Sequence, residues 1–364
     1  MSDMSRDFHP IIIIGAGPAG LCAAYELSKR GLSAKILEAG TKPGWSWANM
    51  PDRITVLSPW KRNVMNGTRW NIFNMHRQPP VAQYHDYLCD YARDNALDVS
   101  CECKVLSVTK GDGQFELETT QGTFRCAQLI NATGYFFNPS LPQFPGADDS
   151  TPIIHVHDFK SADAVAVNDP EARNALVIGG RVSAGQTATE LADHGQFKVD
   201  LCLRHPLAFS QDPWLQKLAF WIFYLVEDHW VKTKPQMLED TNPPMEGGHT
   251  RQLVKAGIIG KRPGIKHING REVTFTDDTT TSYDVIVACT GFNAVLEHLS
   301  PLYAAPVTHS TLELDGFESK TQQGLYFIGL DKLQSFRSRY LRGIREDAIT
   351  LAQTIKQTLK EPQT

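Results

Sequence analysis

The 364-residue chain lacks several features that would assign it to a class at once. Its seven cysteines include no Cys-x-x-Cys pair, and an odd count without a signal peptide is typical of reduced thiols in the cytoplasm. With 36 Lys and Arg against 40 Asp and Glu, it has no basic excess for nucleic acid. Its longest apolar stretch, residues 214–226, is shorter than the roughly 20 residues that span a bilayer, and histidine spacing typical of metal sites is missing. We therefore expect a cytoplasmic chain with no transmembrane segment, nucleic-acid partner or metal.

A short apolar strand, residues 11–14, is followed by a glycine-rich turn that opens a helix. The turn has the spacing Gly15-x-Gly17-x-x-Gly20. In dinucleotide-binding proteins the first glycine permits a tight turn, the second lets the backbone approach a pyrophosphate, and the third lets the helix pack on the strand. The helix N-terminus then presents unpaired N–H groups to the phosphates. Glu38, at the end of the next strand, is placed to bind ribose hydroxyls.

A second strand, turn and helix follow about 160 residues later, around Gly179. Arg181 stands where the second glycine is expected, and it can crowd a pyrophosphate or turn outward and pair with phosphate. Ala184 replaces the third glycine and still allows close packing. The next strand ends at Arg204 rather than an acid, which favours a 2′-phosphate and hence NADPH over NADH. The alternative for Arg204 is a solvated surface charge.

Each turn is followed by a β-meander and by an apolar strand that ends in Thr-Gly, at 133–134 and at 290–291. This duplication predicts an α/β protein with two Rossmann-like dinucleotide-binding domains in a three-layer ββα flavoprotein fold. A pair of such turns indicates that a flavin and a nicotinamide nucleotide meet in one protein, and we expect an NADPH-binding domain inserted in an FAD-binding domain. The predicted domains are residues 1–145 (first part of the FAD domain), 146–284 (NADPH domain, with an aromatic helical insertion at 205–257) and 285–364 (C-terminal part of the FAD domain).

Other local patterns give further predictions. Residues 81–95 and about 342–359 read as helices, and 265–276 as a hairpin with an Asn269-Gly270 turn. Cys101 and Cys103 alternate within 99–108, which predicts a strand with both thiols on one face.

Several motifs together resemble the class B flavin-dependent monooxygenase superfamily, in particular its short bacterial members of the cation-associated CzcO group. The resemblance covers about residues 10–355. Beyond the two turns and Glu38, it rests on Pro43-Gly44-Trp45-Ser46-Trp47, similar to a Gly-Gly-x-Trp stretch, on Asn131-Ala132-Thr133-Gly134, on Phe144-Pro145-Gly146 with His155 and Phe159, on Ala288-Cys289-Thr290-Gly291-Phe292, and on residues 341–348.

The resemblance implies particular site residues. Those expected to bind cofactor are Gly15, Gly17, Pro18, Ala19, Gly20, Glu38, Ala39, Gly44, Ser46, Trp47, Val105, Ala132, Thr133, Gly134, Gly179, Gly180, Arg181, Ser183, Ala184, Arg204, Thr290, Gly291, Gly329 and Leu341. Those expected to take part in catalysis are His155, His157, Asn63 and Asn66. The alternative for His155 is a histidine satisfied by backbone hydrogen bonds.

The chain also departs from the family pattern. The gap between Gly146 and His155 is longer than usual, and Phe159 stands where the family motif ends in Tyr or Trp. The missing Trp at that place favours heteroatom oxygenation over Baeyer–Villiger chemistry. Trp45 replaces the second glycine of the FAD-contacting loop.

The resemblance implies an FAD-dependent, NADPH-consuming monooxygenase that oxygenates a small organic substrate with O2 through a flavin C4a-hydroperoxide. One alternative is an NADPH-dependent flavin oxidoreductase, similar to thioredoxin reductase but without a redox-active disulfide. Another is a flavin-binding protein without turnover. The sequence leaves the substrate open, and also the oligomeric state, with a homodimer as one option.

Overall fold

The computed structural model describes residues 8–51, 54–68, 76–209, 226, 229, 245 and 247–360. The chain divides into two units, Met1–Asn138 with Asn293–Thr364, and Pro139–Phe292. The second unit is therefore inserted in the first, as predicted, but its bounds differ from the expected 146 and 284. The C-terminal bound moves because strand Val285–Ala288 pairs with strand Asn174–Ile178 and so belongs to the inserted unit.

Along the described part of the chain, strand–helix–strand units are followed by runs of consecutive strands. The strands are β1 Phe8–Ile14, β2 Ala34–Leu37, β3 Asp98–Ser100, β4 Val105–Gly111, β5 Gln114–Thr119, β6 Gly122–Asn131, β7 Ile153–His155, β8 Asn174–Ile178, β9 Lys198–Cys202, β10 Ile259–Arg262, β11 Ile265–Asn269, β12 Glu272–Phe275, β13 Thr280–Ser282, β14 Val285–Ala288, β15 Leu314–Asp315, β16 Glu318–Ser319 and β17 Leu325–Phe327. The helices are α1 Pro18–Ser28, α2 Trp45–Ala48, α3 Trp60–Asn63, α4 Val81–Asp94, α5 Ala162–Asn168, α6 Val182–His194, α7 His249–Lys255, α8 Leu341–Thr358 and a 3₁₀ helix, Glu297–Leu302.

The first unit is built on a parallel sheet in the order β3-β2-β1-β6-β17. Strand β6 also pairs antiparallel with β5, and β5 pairs antiparallel with β4. Side chains of β1 alternate between the two faces of this sheet. Ile11 and Ile13 pack in the apolar cluster that includes residues of α1, α4 and α8. Ile12 and Ile14 pack in a separate cluster with the β4–β5 meander. The meander, the sheet and the helices are the three layers of the predicted ββα fold.

The second unit repeats this construction. Its parallel sheet has the order β10-β9-β8-β14-β7, and β11, β12 and β13 form a separate antiparallel sheet. Ala175 and Val177 of β8 share a cluster with residues of α6, whereas Leu176 and Ile178 pack with residues of the antiparallel sheet. The prediction of two Rossmann-like domains is confirmed.

Most local predictions agree with the structure, and one is wrong. The helices are found at α4 and α8, and the hairpin turns at Gly270 with φ +55°. Cys101 and Cys103 do not share a strand, because β3 ends before them and Glu102 adopts φ 58° in a turn. Most of the predicted aromatic helical insertion at 205–257 lies outside the described residues. In the part of the chain that the structure describes, no helix combines the length and apolar character needed to cross a membrane.

Candidate cofactor-binding site

The first glycine turn has the geometry that close approach of a dinucleotide requires. The N–H of Gly15 donates to the carbonyl of Leu37 (2.8 Å), and its φ of +101° favours glycine. A Cβ at Gly15 would lie 2.8 Å from the oxygen of Ala132, and one at Gly20 would collide with the oxygen of Gly15. A Cβ at Gly17, by contrast, would meet nothing within 4 Å. Gly15 and Gly20 are therefore required by packing, while Gly17 faces open space.

Several segments meet this turn at the carboxyl ends of β1, β6 and β17. The N–H of Ala132 donates to the carbonyl of Ile14 (2.9 Å), which places the 132–134 segment beside Gly15. A Cβ on Gly329 would lie 2.9 Å from the Cβ of Ala19, in the first turn of α1. The N–H of Gly44 donates to the carbonyl of Ala16 (2.8 Å). The carboxyl edge of a parallel sheet is where α/β proteins bind nucleotides.

Glu38 is buried directly behind the turn. Its Oε2 accepts from the N–H of Ala16 (2.7 Å) and its Oε1 from the N–H of Gly40 (2.8 Å). Burial raises the pKa of its carboxyl group, and the hydrogen bonds to the backbone oppose that rise. Each carboxylate oxygen keeps a second lone pair, so the group can accept from a ribose hydroxyl while it holds the turn.

The remaining predicted residues of the first unit occupy different places. Pro18 begins α1, and Leu341 begins α8. Trp47 in α2 packs its ring 4.5 Å from that of Tyr84, whereas Trp45 lies against Gly40. The others are Ala39, in the turn after β2; Ser46, in α2; and Val105, which begins β4 and is buried in the core of the meander layer.

The residues at the first turn fit the pyrophosphate of FAD. Helix α1 has no side-chain cap and no acidic residue in its first turn, so its N–H groups are open to an anion. Gly17, at the N-cap, leaves space in front of them.

The second turn has the same backbone geometry around Gly179. The N–H of Gly179 donates to the carbonyl of Cys202 (3.1 Å), and its Cβ would lie 2.7 Å from the oxygen of Cys289. Arg181 is the N-cap of α6, with φ −115° and ψ −171°, an extended conformation that any residue adopts. Its side chain is exposed, so the turn forms without strain. Ala184 is buried against the strand, Gly180 and the exposed Ser183 complete the turn, and α6 has no acidic residue in its first turn.

Arg204 lies one residue beyond the position of the acid in the first unit. Because Gly15 bonds to Leu37 and Gly179 to Cys202, the counterpart of Glu38 is Leu203. The prediction that Arg204 ends the strand in the place of the acid is therefore wrong by one position. Because Leu203 is uncharged, no carboxylate at this position repels a 2′-phosphate. The neighbouring Arg204 is exposed.

His155 ends β7 and has both ring nitrogens in hydrogen bonds to the backbone. Nδ1 accepts from the N–H of His157 (3.1 Å), so Nε2 carries the proton and donates to the carbonyl of Gly291 (3.0 Å). Burial lowers the pKa of His155, and its ring packs edge-on to Phe292. This geometry matches the structural alternative. Nδ1 of His157 lies 2.7 Å from the carboxylate of Asp158, and the hydroxyl of Thr290 donates to the carbonyl of Ser140.

The side chains of Asn63 and Asn66 form hydrogen bonds with other residues of the first unit. The side chain of Asn63 is buried and hydrogen-bonds to the hydroxyl and the carbonyl of Ser58. The side chain of Asn66 donates to Glu26 Oε1 (2.8 Å) and to the carbonyl of Arg345 (3.2 Å). Glu26 lies near the far end of α1, roughly 13 Å along the helix axis from Gly17 at 1.5 Å per residue. A catalytic role for either asparagine stays a prediction.

One buried polar pair at the edge of this site was missed by the sequence analysis. Nε2 of His298 lies 2.8 Å from Oδ1 of Asn131, and both residues are buried. The two are 167 positions apart, and no motif connects them.

Two glycine turns on two parallel sheets, one unit inserted in the other, define a flavoprotein oxidoreductase with two dinucleotide-binding domains. A family model for the pyridine nucleotide-disulphide oxidoreductases matches residues 12–329, and the chain belongs to this family. It is a flavin-dependent oxidoreductase, and the two cofactors predicted from the sequence, FAD and NADPH, are those of the family.

Individual relatives cover nearly the whole chain. A CzcO-like oxidoreductase of uncharacterised function from Geobacillus kaustophilus is 25% identical over 351 residues, covering 93% of this chain and 95% of that protein. Indole-3-pyruvate monooxygenase YUCCA4 of Oryza sativa is 25% identical over 412 residues, covering 99% and 90%. The solved structure of a flavin-containing monooxygenase from Stenotrophomonas maltophilia matches with a TM-score of 0.79 at 21% identity, covering 97% and 99%. The resemblance to this superfamily is confirmed.

Proposed function

We propose that the protein is an FAD-dependent, NADPH-consuming monooxygenase that transfers one oxygen atom from O2 to a small organic substrate. The observation that carries the proposal is the pair of glycine turns, each with an uncapped helix N-terminus free of acidic residues. Similarity over almost full length to indole-3-pyruvate monooxygenase YUCCA4 supports oxygenation as the outcome of the electron transfer.

The residues of the chain have distinct tasks in this proposal. The N–H groups of α1, in front of Gly17, bind the FAD pyrophosphate, and Glu38 accepts from a ribose hydroxyl. The N-terminus of α6 binds the pyrophosphate of NADPH, and Arg204 pairs with its 2′-phosphate. His155 holds the backbone of Gly291 through its Nε2–H, so it acts as a positioning residue rather than an acid or base. The chemistry that bound FAD would supply is the uptake of hydride from NADPH and the activation of O2.

A disulfide reductase is the competing function, because the family name includes that activity. All seven cysteines are free thiols. Burial raises the pKa of five of them: Cys22, Cys89, Cys101, Cys126 and Cys202. A thiol that attacks a disulfide needs a lowered pKa and an accessible sulfur. The cysteine environments therefore favour oxygenation over disulfide exchange.

The test traces whether an oxygen atom of O2 is transferred to the organic substrate. Holoenzyme, NADPH and ¹⁸O2 are incubated with amines, thioethers, aromatic acids and an aromatic 2-oxo acid, and products are analysed by mass spectrometry. We expect one substrate class to stimulate NADPH consumption and to gain one ¹⁸O atom per NADPH oxidised. The enzyme without substrate is the control, and it should release the oxidising equivalents as hydrogen peroxide.

Two results would count against the proposal. If NADPH fails to bleach the flavin under anaerobic conditions, the protein binds flavin without turnover. If NADPH is consumed faster with low-molecular-weight disulfides, and no product carries ¹⁸O, the protein is a reductase.

A further inference from the structure

A chain of hydrogen bonds leads from a buried histidine to the turn that faces Gly15. His298, in the 3₁₀ helix, contacts Oδ1 of Asn131, the last residue of β6 (2.8 Å). Nδ2 of Asn131 donates to Oγ1 of Thr133 (3.0 Å), and this hydroxyl donates to the carbonyl of Val295 (2.7 Å). Every link lies within the first unit.

The donor-to-acceptor direction of these hydrogen bonds follows from the protonation state of His298. Burial lowers the pKa of His298 to about 4, so the imidazole is neutral near pH 7. A neutral ring has one N–H, and the contact with the amide oxygen requires that it be on Nε2. Each donor along the chain then meets an acceptor.

The burial of this pair carries a cost that apolar residues would avoid. Asn131 is 0% exposed and His298 7% exposed, in a strand where Leu129 and Ile130 are fully buried. A buried amide left without a hydrogen-bond partner destabilises the folded state. His298 donates to the amide oxygen of Asn131, and one N–H of the same amide donates to Thr133.

The last links of this hydrogen-bond network hold the 132–134 segment against Val295. Thr133 donates to the carbonyl of Val295, and the N–H of Val295 donates to the carbonyl of Gly134 (3.0 Å). On its other side the same segment touches the glycine turn, because a Cβ on Gly15 would lie 3.3 Å from Cα of Thr133. A shift in Thr133 therefore moves the wall of the proposed FAD site.

We propose that His298 is a positioning residue for FAD, which holds the Thr133-Gly134 turn against Gly15 through Asn131. The inference rests on the proposed binding of FAD at the first turn. It assigns to His298 no contact with the cofactor and no role in proton transfer.

The test measures FAD affinity of the full-length apoprotein by flavin fluorescence. His298→Leu removes the donor, and we expect its dissociation constant for FAD to rise at least tenfold. His298→Gln keeps an N–H donor, and its constant should stay within about threefold of wild type. Thr133→Val breaks the far end of the chain, and the double variant His298→Leu/Thr133→Val should bind FAD no more weakly than the worse single variant. Losses that simply add would show that His298 does not act through Thr133.

Thr119→Val is the matched control for a lost buried hydrogen bond in the same layer. Thr119 ends β5, is buried, and donates to the carbonyl of Gly122 (2.7 Å), its partner at the start of β6. Gly122 lies about 30 Å along β6 from Asn131 at 3.3 Å per residue. We expect it to lower the unfolding temperature while leaving FAD affinity within threefold of wild type. Equal effects of His298→Leu and Thr119→Val on FAD affinity would overturn the proposal.

A further pair keeps the test decisive if His298→Leu does not fold. Thr133→Ser keeps the hydroxyl and Thr133→Val removes it, at a half-buried position. The proposal requires the serine variant to retain FAD and the valine variant to lose about tenfold in affinity. Equal affinities of the two overturn it. If wild-type protein itself binds no FAD, the proposed function fails instead, and that outcome is distinct.

Discussion

Oε2 of Glu38 accepts a 2.7 Å hydrogen bond from the backbone N–H of Ala16, inside the glycine turn that precedes it by one strand and one helix. The other oxygen, Oε1, accepts from Gly40 (2.8 Å). One carboxylate thus ties the end of β2 to the turn after β1. Both carboxylate oxygens act as hydrogen-bond acceptors, so a substitution that removes either acceptor should weaken the site.

We expect Glu38→Gln to weaken FAD binding by about 10- to 100-fold. The glutamine amide turns one acceptor into a donor, which then faces a backbone N–H, and a lost hydrogen bond to a charged group is worth about 1.5–3 kcal/mol. FAD titration of the apoprotein measures the change. Asp98→Asn, which removes an exposed carboxylate paired with Lys35 on the neighbouring strands, is the control and should leave affinity unchanged. Equal affinity of Glu38→Gln and wild type would contradict a ribose-binding role.

Gly17 and Gly20 allow the two tasks of the turn to be separated. Gly17 has an ordinary φ of −74° and nothing within 4 Å of its Cβ position, whereas a Cβ at Gly20 collides with the oxygen of Gly15. We expect Gly17→Leu to fold with a free energy of unfolding within about 0.5 kcal/mol of wild-type apoprotein, since it fills only open space. Its side chain would occupy the place of the pyrophosphate and lower FAD affinity at least about 100-fold, near 3 kcal/mol.

Gly20→Leu serves as the contrast, because it should lose stability as well as flavin. The readouts are thermal unfolding of the apoprotein and the flavin absorbance of the purified protein. A yellow Gly17→Leu protein with normal FAD content would show that the pyrophosphate lies elsewhere.

The sequence predicted best what is repeated and local. Both glycine turns, the apolar strand at 11–14 and the insertion of one unit in the other agree with the predictions made from local and repeated patterns. The sequence analysis was less accurate where pairing between strands far apart in the chain determines the domain bounds. Strand Val285–Ala288 was assigned to the wrong domain, because only its pairing with β8 shows where it belongs.

The same limit applies to single side chains. The side chain of Asn66 donates to Glu26, which lies 40 positions away near the far end of α1. His298 meets Asn131 across 167 positions, and a lone histidine beside a leucine gives no periodic signal. Contacts of this kind depend on the assembled sheet, so they become visible only in the structure.

Nucleotide specificity in the second unit gives another prediction. Leu203 takes the place of Glu38, and the exposed Arg204 follows it. We expect Arg204→Ala to raise KM for NADPH at least tenfold, because a charged hydrogen bond to the 2′-phosphate is worth about 1.5–3 kcal/mol. KM for NADH should stay within threefold. Lys198→Ala, an exposed cation at the other end of β9, is the control in the same steady-state assay. Parallel changes in both KM values would identify Arg204 as a general surface charge.

The carboxyl group of Asp347 in α8 makes the stability of the first unit depend on pH. Burial raises its pKa to about 7, and within the described residues its Oδ2 has no hydrogen-bond partner. The unfolded chain releases this proton near pH 4, so the folded state binds more protons between about pH 4 and 7. The contribution of Asp347 to stability is therefore full below pH 4 and is lost as the pH rises to 7.

Asp347→Asn removes this titration and should become more stable relative to wild type as the pH rises. The difference in free energy of unfolding should grow between pH 4 and 7 and level off above it, at up to about 4 kcal/mol for a shift of three pKa units. Urea unfolding at saturating FAD measures it, so that cofactor binding is held constant. Asp94→Asn, on the exposed side of α4, should give a curve parallel to wild type. A constant difference between Asp347→Asn and wild type at every pH would mean that the carboxyl group has the same pKa in the folded and unfolded states, which would contradict the shift caused by burial.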